Sequence, residues 1–346
     1  MTSLTGIPLS VLDVVPVFED GSATGALRDT VALAPKIEEL GYLRYWVAEH
    51  HSTPSLATSA PGILAGRLAA ATTTLRVGSG GVLLPNHAPL VVAEQFGTLE
   101  ALHPGRIDLG LGRAPGTDPR TARALRRTSE GGDDFTAQLA ELSGYFAPAD
   151  RSSGIVAVPA ADARPDLWVL GSSPSSGQLA GALGLPYAYA HQINPYATTQ
   201  ALAAYRAAFR PSAQLDRPRT LVAALVTVAP TDEEAFTAAS SYLLGKILMR
   251  TSPRFDAFPA AARAAGHKFS AAEREFLHGL VEPQLIGGPH TVREKLARLV
   301  QQTGADELMA LTVVPSQQER LRSFALLVEA AATVRPGSVA DVSAPL

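Results

Sequence analysis

A carboxylate and two imidazoles, Glu49-His50-His51, follow directly on the apolar run Tyr45-Trp46-Val47-Ala48. Imidazole transfers protons near neutral pH, and an adjacent carboxylate can orient it or raise its pKa. The trio suits acid/base chemistry. A solvated loop with incidental charges is the bland alternative. A metal site is weaker still, because no other His/Asp/Glu cluster shows ligand spacing.

Three further stretches carry residue types with chemical uses. Gly78-Ser79-Gly80-Gly81 runs on into Val82-Leu83-Leu84-Pro85-Asn86-His87. So many glycines in a strand point to a bulge, a tight barrel corner or the close approach of a flat ligand. Asn86 and His87 either line that pocket or close a turn. Asp108-Leu109-Gly110-Leu111-Gly112-Arg113-Ala114-Pro115-Gly116 superficially matches a dinucleotide fingerprint. Pro115 stands where the third glycine is needed, and no strand with an acidic end follows, which excludes a Rossmann site. Arg113 beside these glycines either offers positive charge to an anionic, planar cofactor or sits exposed in a turn. Gly171-Ser172-Ser173-Pro174-Ser175-Ser176-Gly177 opens a helix, and its N–H groups, hydroxyls and positive helix end suit a phosphate. N-capping by Ser173 explains one serine but not the set. Arg123 is a candidate second cation, or a solvated helix arginine.

Something must gather these stretches into one place. Eight short strand-like runs alternate with longer helical ones, at residues 8–13, 44–48, 75–82, 106–111, 167–170, 186–190, 221–228 and 308–314. Thr58 or Ser59 is expected to cap a helix with Pro61 in its first turn, Pro89 opens another, and Ser173-Pro174 a third. Further helical stretches are 134–145, 195–209, 232–249, 291–302 and 317–332. Eight strand-then-helix units predict an α/β chain folded as a (β/α)8 TIM barrel, with its active site at the C-terminal ends of the strands. A doubly wound sheet is the alternative. Residues 131–165 and 251–289 exceed this count and read as insertions at strand C-terminal ends that cover a substrate. With no repeat and no flexible linker, residues 1–346 are read as a single domain.

The 346 residues, 46% hydrophobic and 18% charged, can bury a large core. A formal charge of −3 gives no whole-chain attraction to nucleic acid or to an anionic membrane. Cysteine is absent, which removes disulfides, thiolate metal sites and cysteine nucleophiles together. No basic n-region precedes a clean apolar segment, and no apolar run is long enough to span a bilayer, so a cytoplasmic protein is expected.

Taken in order, the segments 46–51, 78–87 and 103–113, with Gly171-Ser172-Ser173 and Gly304-Ala305-Asp306-Glu307-Leu308-Met309 later, resemble the bacterial-luciferase-like flavin-dependent monooxygenases. The resemblance implies a luciferase-like TIM barrel and a flavoprotein that takes reduced FMN (FMNH2), with O2 as co-substrate. A C4a-peroxyflavin then oxygenates a small, largely apolar organic substrate of polyketide type. It also implies a separate NAD(P)H:flavin reductase and a homodimer. His50 maps onto the family's catalytic histidine, with Glu49 and His51 as supporting groups. Gly80 and Gly81 map onto the isoalloxazine contact, at a non-proline cis peptide. Arg113, Arg123, Gly171, Ser172, Ser173 and Ser176 map onto flavin and phosphate contacts. The luciferases carry a reactive cysteine where this chain has Gly112, so substrate oxygenation rather than light emission is implied. The competing readings are a deazaflavin F420-dependent hydride-transfer oxidoreductase of the same barrel superfamily and a non-catalytic flavin-binding protein. Substrate selectivity is expected in the two insertions and in His191-Gln192-Ile193-Asn194.

Overall fold

Short apolar runs without strict alternation form parallel strands buried on both faces. They are β1 (Leu9–Asp13), β2 (Arg44–Val47), β3 (Arg76–Leu83), β4 (Ile107–Gly112), β5 (Asp166–Gly171), β6 (Tyr187–Ala190), β7 (Thr220–Val228), β8 (Leu285–Gly287) and β9 (Glu307–Leu311). In this computed structural model, which describes residues 6–113, 118–127, 135–147, 154–252 and 254–336, all but β8 close into one ring. The ring runs β1 to β6 in order, then β7 and β9, and β9 returns to β1. It is the expected eight-stranded parallel barrel. β8 was not expected: it pairs only with the end of β7, Leu285 opposite Val226, outside the ring.

The helices are α1 (Ala23–Glu39), α2 (Pro61–Ala71), α3 (Pro89–Leu102), α4 (Pro119–Ala124), α5 (Phe135–Tyr145), α6 (Pro174–Ala182), α7 (Thr198–Ala208), α8 (Asp232–Thr251), α9 (Ala261–Gly266), α10 (Ala271–Val281), α11 (Pro289–Thr303) and α12 (Gln317–Ala331). α1 had no counterpart in the sequence reading. The expected cap on α2 is also absent, since its N-cap is Ala60 and bears no side-chain hydrogen bond. Thr58 instead donates its hydroxyl to the Ala48 carbonyl. Parts of the first expected insertion (131–134 and 148–153), together with Ala114-Pro115-Gly116, lie outside the described residues. The second insertion contains α9, α10 and β8.

Side chains alternate across the barrel wall. Val11, Tyr45, Val77 and Leu109 join Leu33, Ile37, Leu68, Phe96 and Phe324 of the surrounding helices in one apolar cluster. Leu12, Trp46, Trp168, Leu221 and Met309 form a second inside the ring. Trp46 and Trp168 meet edge to face at 5.4 Å, a contact worth about 0.5–1.5 kcal/mol beyond the area it buries.

Below them the barrel floor is ionic. Arg44, fully buried, donates to Asp108 at 2.7 Å and to Glu307 at 2.6 and 3.1 Å. Arg76 reaches Asp108 at 2.6 Å and Asp166 at 2.8 Å, Trp46 Nε1 donates to Asp108 at 2.8 Å, and Ser10 donates to Glu307. Burial raises the Asp108 pKa, but the charges of Arg44 and Arg76 outweigh it and hold the carboxyl below its ordinary value. Charge from β2, β3, β4, β5 and β9, with the Ser10 hydroxyl of β1, thus closes the N-terminal end of the ring. That leaves the other end for the site.

Candidate active site

β2 ends where the Ala48 amide donates to the Asp13 carbonyl, and the His50 amide then donates to Thr58 O at 2.7 Å. These bonds, with that of Thr58 to Ala48, fix the chain on either side of Glu49. The Glu49 carboxylate accepts from His51 Nε2 at 2.7 Å, from His87 Nε2 at 2.9 and 3.0 Å, from the Leu83 amide at 3.0 Å and from Asn86 Nδ2 at 3.3 Å. Burial pushes its pKa up, but the hydrogen bond and charge of His87, with the Leu83 and His51 bonds, hold it below the ordinary carboxylate value. Glu49 is an anchored carboxylate whose hydrogen bonds favour its charged form. The ligand atoms of Glu49, His51 and His87 lie within 4.8 Å of one another, close enough for a divalent cation. Each imidazole already uses its N–H on the carboxylate, so the trio is complete as a hydrogen-bond network and a metal would have to displace both hydrogens.

His50 differs from both. Its ring is largely buried, Nδ1 has no hydrogen-bond partner, and burial depresses its pKa more than the Glu49 charge raises it. A neutral imidazole can both accept and donate a proton.

His50 and Glu49 line a cavity of about 760 Å³ at the C-terminal end of the barrel. Gly80, Gly81, Arg113, Gly171, Ser172, Ser173 and Ser176 line the same cavity, so nine of the eleven residues expected as catalytic or flavin-binding groups meet there. The Gly80-Gly81 peptide is cis, and the β3–β4 register slips between Gly80 and Val82, the bulge that the glycine run suggested. Packing explains part of that run: a Cβ on Gly78 would stand 2.0 Å from the Asp108 carbonyl oxygen, and one on Gly81 would stand 2.7 Å from that of Gly110. At the serine turn, Ser173 caps α6 in a capping box with Ser176. The turn's carbonyls are engaged: Ser173 O accepts from Tyr187 and Ser176, and Ser172 O from Asn194 Nδ2 at 3.1 Å.

The other two sequence candidates stand apart. His51 is not on the cavity wall and serves it through Glu49. Arg123 is exposed on α4, and Arg127, four residues further on, lines the cavity instead. Arg127 escaped the sequence reading because Arg123, Arg126 and Arg127 have equal chemistry and only the path of the chain after α4 selects among them. Asn86 and His87 neither line the pocket nor merely close a turn: they hold Glu49.

The rim after β6 is fixed in a similar way. His191 is buried, with Nε2 donating to Pro283 O at 2.8 Å and Nδ1 at 2.8 Å from the Thr198 hydroxyl. The Tyr189 hydroxyl donates to Asn194 O, and the Gln192 amide N–H donates to Ala223 O at 3.1 Å.

A closed parallel barrel with a cavity lined by a largely buried histidine at the C-terminal ends of the strands has the architecture of a TIM-barrel enzyme. The chain matches the family "Luciferase-like monooxygenase" over residues 7–307, and it belongs to that family. It is 43% identical over 323 residues to the "Uncharacterized protein YvbT" of Bacillus subtilis, covering 93% of this chain and 96% of that one. It is 41% identical over 330 residues to a "Luciferase-like monooxygenase" of Escherichia coli K12, covering 95% and 98%. The crystal structure of apo-MsnO8 superposes with a TM-score of 0.84 at 38% identity, covering 94% of this chain and 98% of that one. The oxygenating constituent of 3,6-diketocamphane monooxygenase from Pseudomonas putida, in complex with FMN, shares the fold with a TM-score of 0.72 at 21% identity, covering 96% and 100%. No helix among the described residues is long and apolar enough to cross a membrane.

Proposed function

We propose that this protein is the oxygenase component of a two-component system, using reduced FMN and O2 to oxygenate a small, largely apolar organic molecule. One observation carries the reading: a buried, unpartnered imidazole nitrogen shares an apolar cavity with a cluster of anion-binding groups. The residues present fit FMN. Arg113, Arg127, Ser172, Ser173 and the N-terminus of α6 form the phosphate end, and Gly80 and Gly81 offer a wall without side chains to a flat ring. When bound, reduced FMN supplies the electrons that activate O2.

The protein's own residues do the rest. His50, kept neutral by burial, takes or returns at Nδ1 the proton that oxygenation moves. Glu49 fixes the segment that carries His50 and, with every hydrogen-bonding direction engaged, does not compete for that proton. The apolar lining excludes water from the reacting centre. A separate flavin reductase supplies the reduced cofactor, and the resemblance to the family implies a homodimer.

The test has two parts: fluorescence titration with FMN and with F420, then oxygen uptake with photoreduced FMN and a panel of apolar compounds. FMN is expected to bind more tightly, and at least one compound to consume oxygen without releasing an equal amount of hydrogen peroxide. Preference for F420, or stoichiometric peroxide with every compound, overturns the reading.

A further inference from the structure

The flavin groups named above sit on one side of the cavity. Gly80 and Gly81 belong to β3, Arg113 follows β4, and the serine turn follows β5. The wall continues from β5 through β6 to β7 and β9, where Ala190, Ile193, Leu221, Ala223 and Met309 are apolar and Gln192 and Tyr189 are polar. The Tyr189 hydroxyl is also on this wall, but it already donates to Asn194 O at 2.7 Å.

Gln192 is held in place and left incomplete. Its main chain is tied to β7 through Ala223 O, and its neighbour His191 is tied through Thr198, Pro283 and Gln284. Its side-chain Oε1 is nevertheless buried without a hydrogen-bond partner. Among the described residues lining the cavity, the buried side-chain N and O atoms without a partner are His50 Nδ1 and Gln192 Oε1. They stand on opposite rims: from β2 the ring reaches β6 through β3, β4 and β5 one way, and through β1, β9 and β7 the other. An orphaned buried acceptor is costly unless a ligand completes it, and a site built to hydrogen-bond a donor discriminates strongly against an analogue that lacks one.

We infer that Gln192 determines substrate specificity: it accepts a hydrogen bond from an O–H or N–H group on an otherwise apolar substrate, held between the β6–β9 wall and the flavin. The inference rests on the flavin occupying the β3–β5 side, as proposed above.

The test uses two compounds that differ in one donor, 4-propylphenol and its methyl ether 4-propylanisole, titrated calorimetrically into the FMN-loaded protein. Wild type is expected to bind the phenol at least about tenfold more tightly than the ether. Gln192→Met should bring the two within about twofold, and Gln192→Glu, which keeps an acceptor, should retain the gap. Gln192→Met should also melt at or above the wild-type temperature without ligand, because it removes an unsatisfied buried oxygen. A gap that survives in Gln192→Met overturns the inference. So does a wild type without a gap, through equal binding or through binding neither compound. FMN affinity is read in the same samples, and the titrations are repeated on the flavin-free protein. Loss of the flavin reading alone leaves the phenol gap on the bare protein; loss of the Gln192 role alone leaves FMN binding intact.

Discussion

The two ends of the barrel interior treat polar groups in opposite ways. At the floor, Arg44, Arg76, Asp108 and Glu307 are mutually paired, with the contacts that Arg44 makes no longer than 3.1 Å. At the mouth, His50 Nδ1 and Gln192 Oε1 are buried with nothing to bond. Between them Trp168 packs on Trp46, its own Nε1 unpartnered. A buried ion network that is fully satisfied defines one shape, whereas an unsatisfied group is tolerable where a ligand completes it. The floor fixes geometry so that the mouth can remain chemically open.

The comparison breaks most decisively at Arg44. Arg44→Leu leaves Asp108 and Glu307 buried without their shared cation, and urea unfolding should show a loss of about 3–5 kcal/mol. A loss below about 1 kcal/mol would mean that the floor is no more than a surface-like set of ion pairs. At the mouth the pattern should reverse. His50→Ala should reduce the rate of substrate oxygenation by about 10²–10⁴-fold, while its unfolding midpoint stays close to wild type because no hydrogen bond of the ring is lost. Undiminished turnover in His50→Ala would remove its proton-transfer role.

Glu49→Gln lies between these cases, since it weakens charge-assisted bonds at the rim without touching the floor. A loss of about 1.5–3 kcal/mol is expected in thermal or urea unfolding, together with a smaller activity deficit than in His50→Ala. An activity loss equal to that of His50→Ala would mean that the carboxylate itself exchanges the proton.

Acid should separate the two ends more gently. Burial lowers the pKa values of His50 and His191, so the unfolded chain binds protons before the folded one as pH falls below 6.5. Stability from these groups is present above 6.5 and is lost as pH falls toward their folded values. The floor carboxylate Asp108 is also depressed, but from 3.8, so its contribution persists until pH drops below that value. Hydrogen exchange at fixed temperature should therefore show amides near residues 50 and 192 losing protection between pH 6.5 and 3.8, ahead of those in β2 and β4. Simultaneous loss at both ends would contradict the division.

Much of this was legible in the chain because the barrel strands are apolar runs bounded by turn residues, and because the cavity groups lie at strand ends. β8 was not legible: three residues, Leu285-Ile286-Gly287, carry no period. The α2 cap is not where the sequence places it because the Thr58 hydroxyl can either accept from a helix amide or donate to a nearby carbonyl, and it donates to Ala48 O in the β2 loop. The floor was invisible for another reason. Arg44 and Glu307 are 263 positions apart, and Asp108 was read only as part of a glycine motif. Pairings between distant segments leave no local pattern. The same holds for His87 on Glu49, where the sequence offered only a turn or a pocket wall.

The separation between Arg44 and Glu307 also orders events during synthesis. Arg44 emerges early, whereas Glu307 belongs to the last strand among the described residues, the one that joins β7 back to β1. A nascent chain ending before β9 can pair Arg44 with Asp108 but leaves Ser10 and half of the guanidinium without their native acceptor. The ring can seal only once β9 has been made, and a contact of such long range is entropically slow to form.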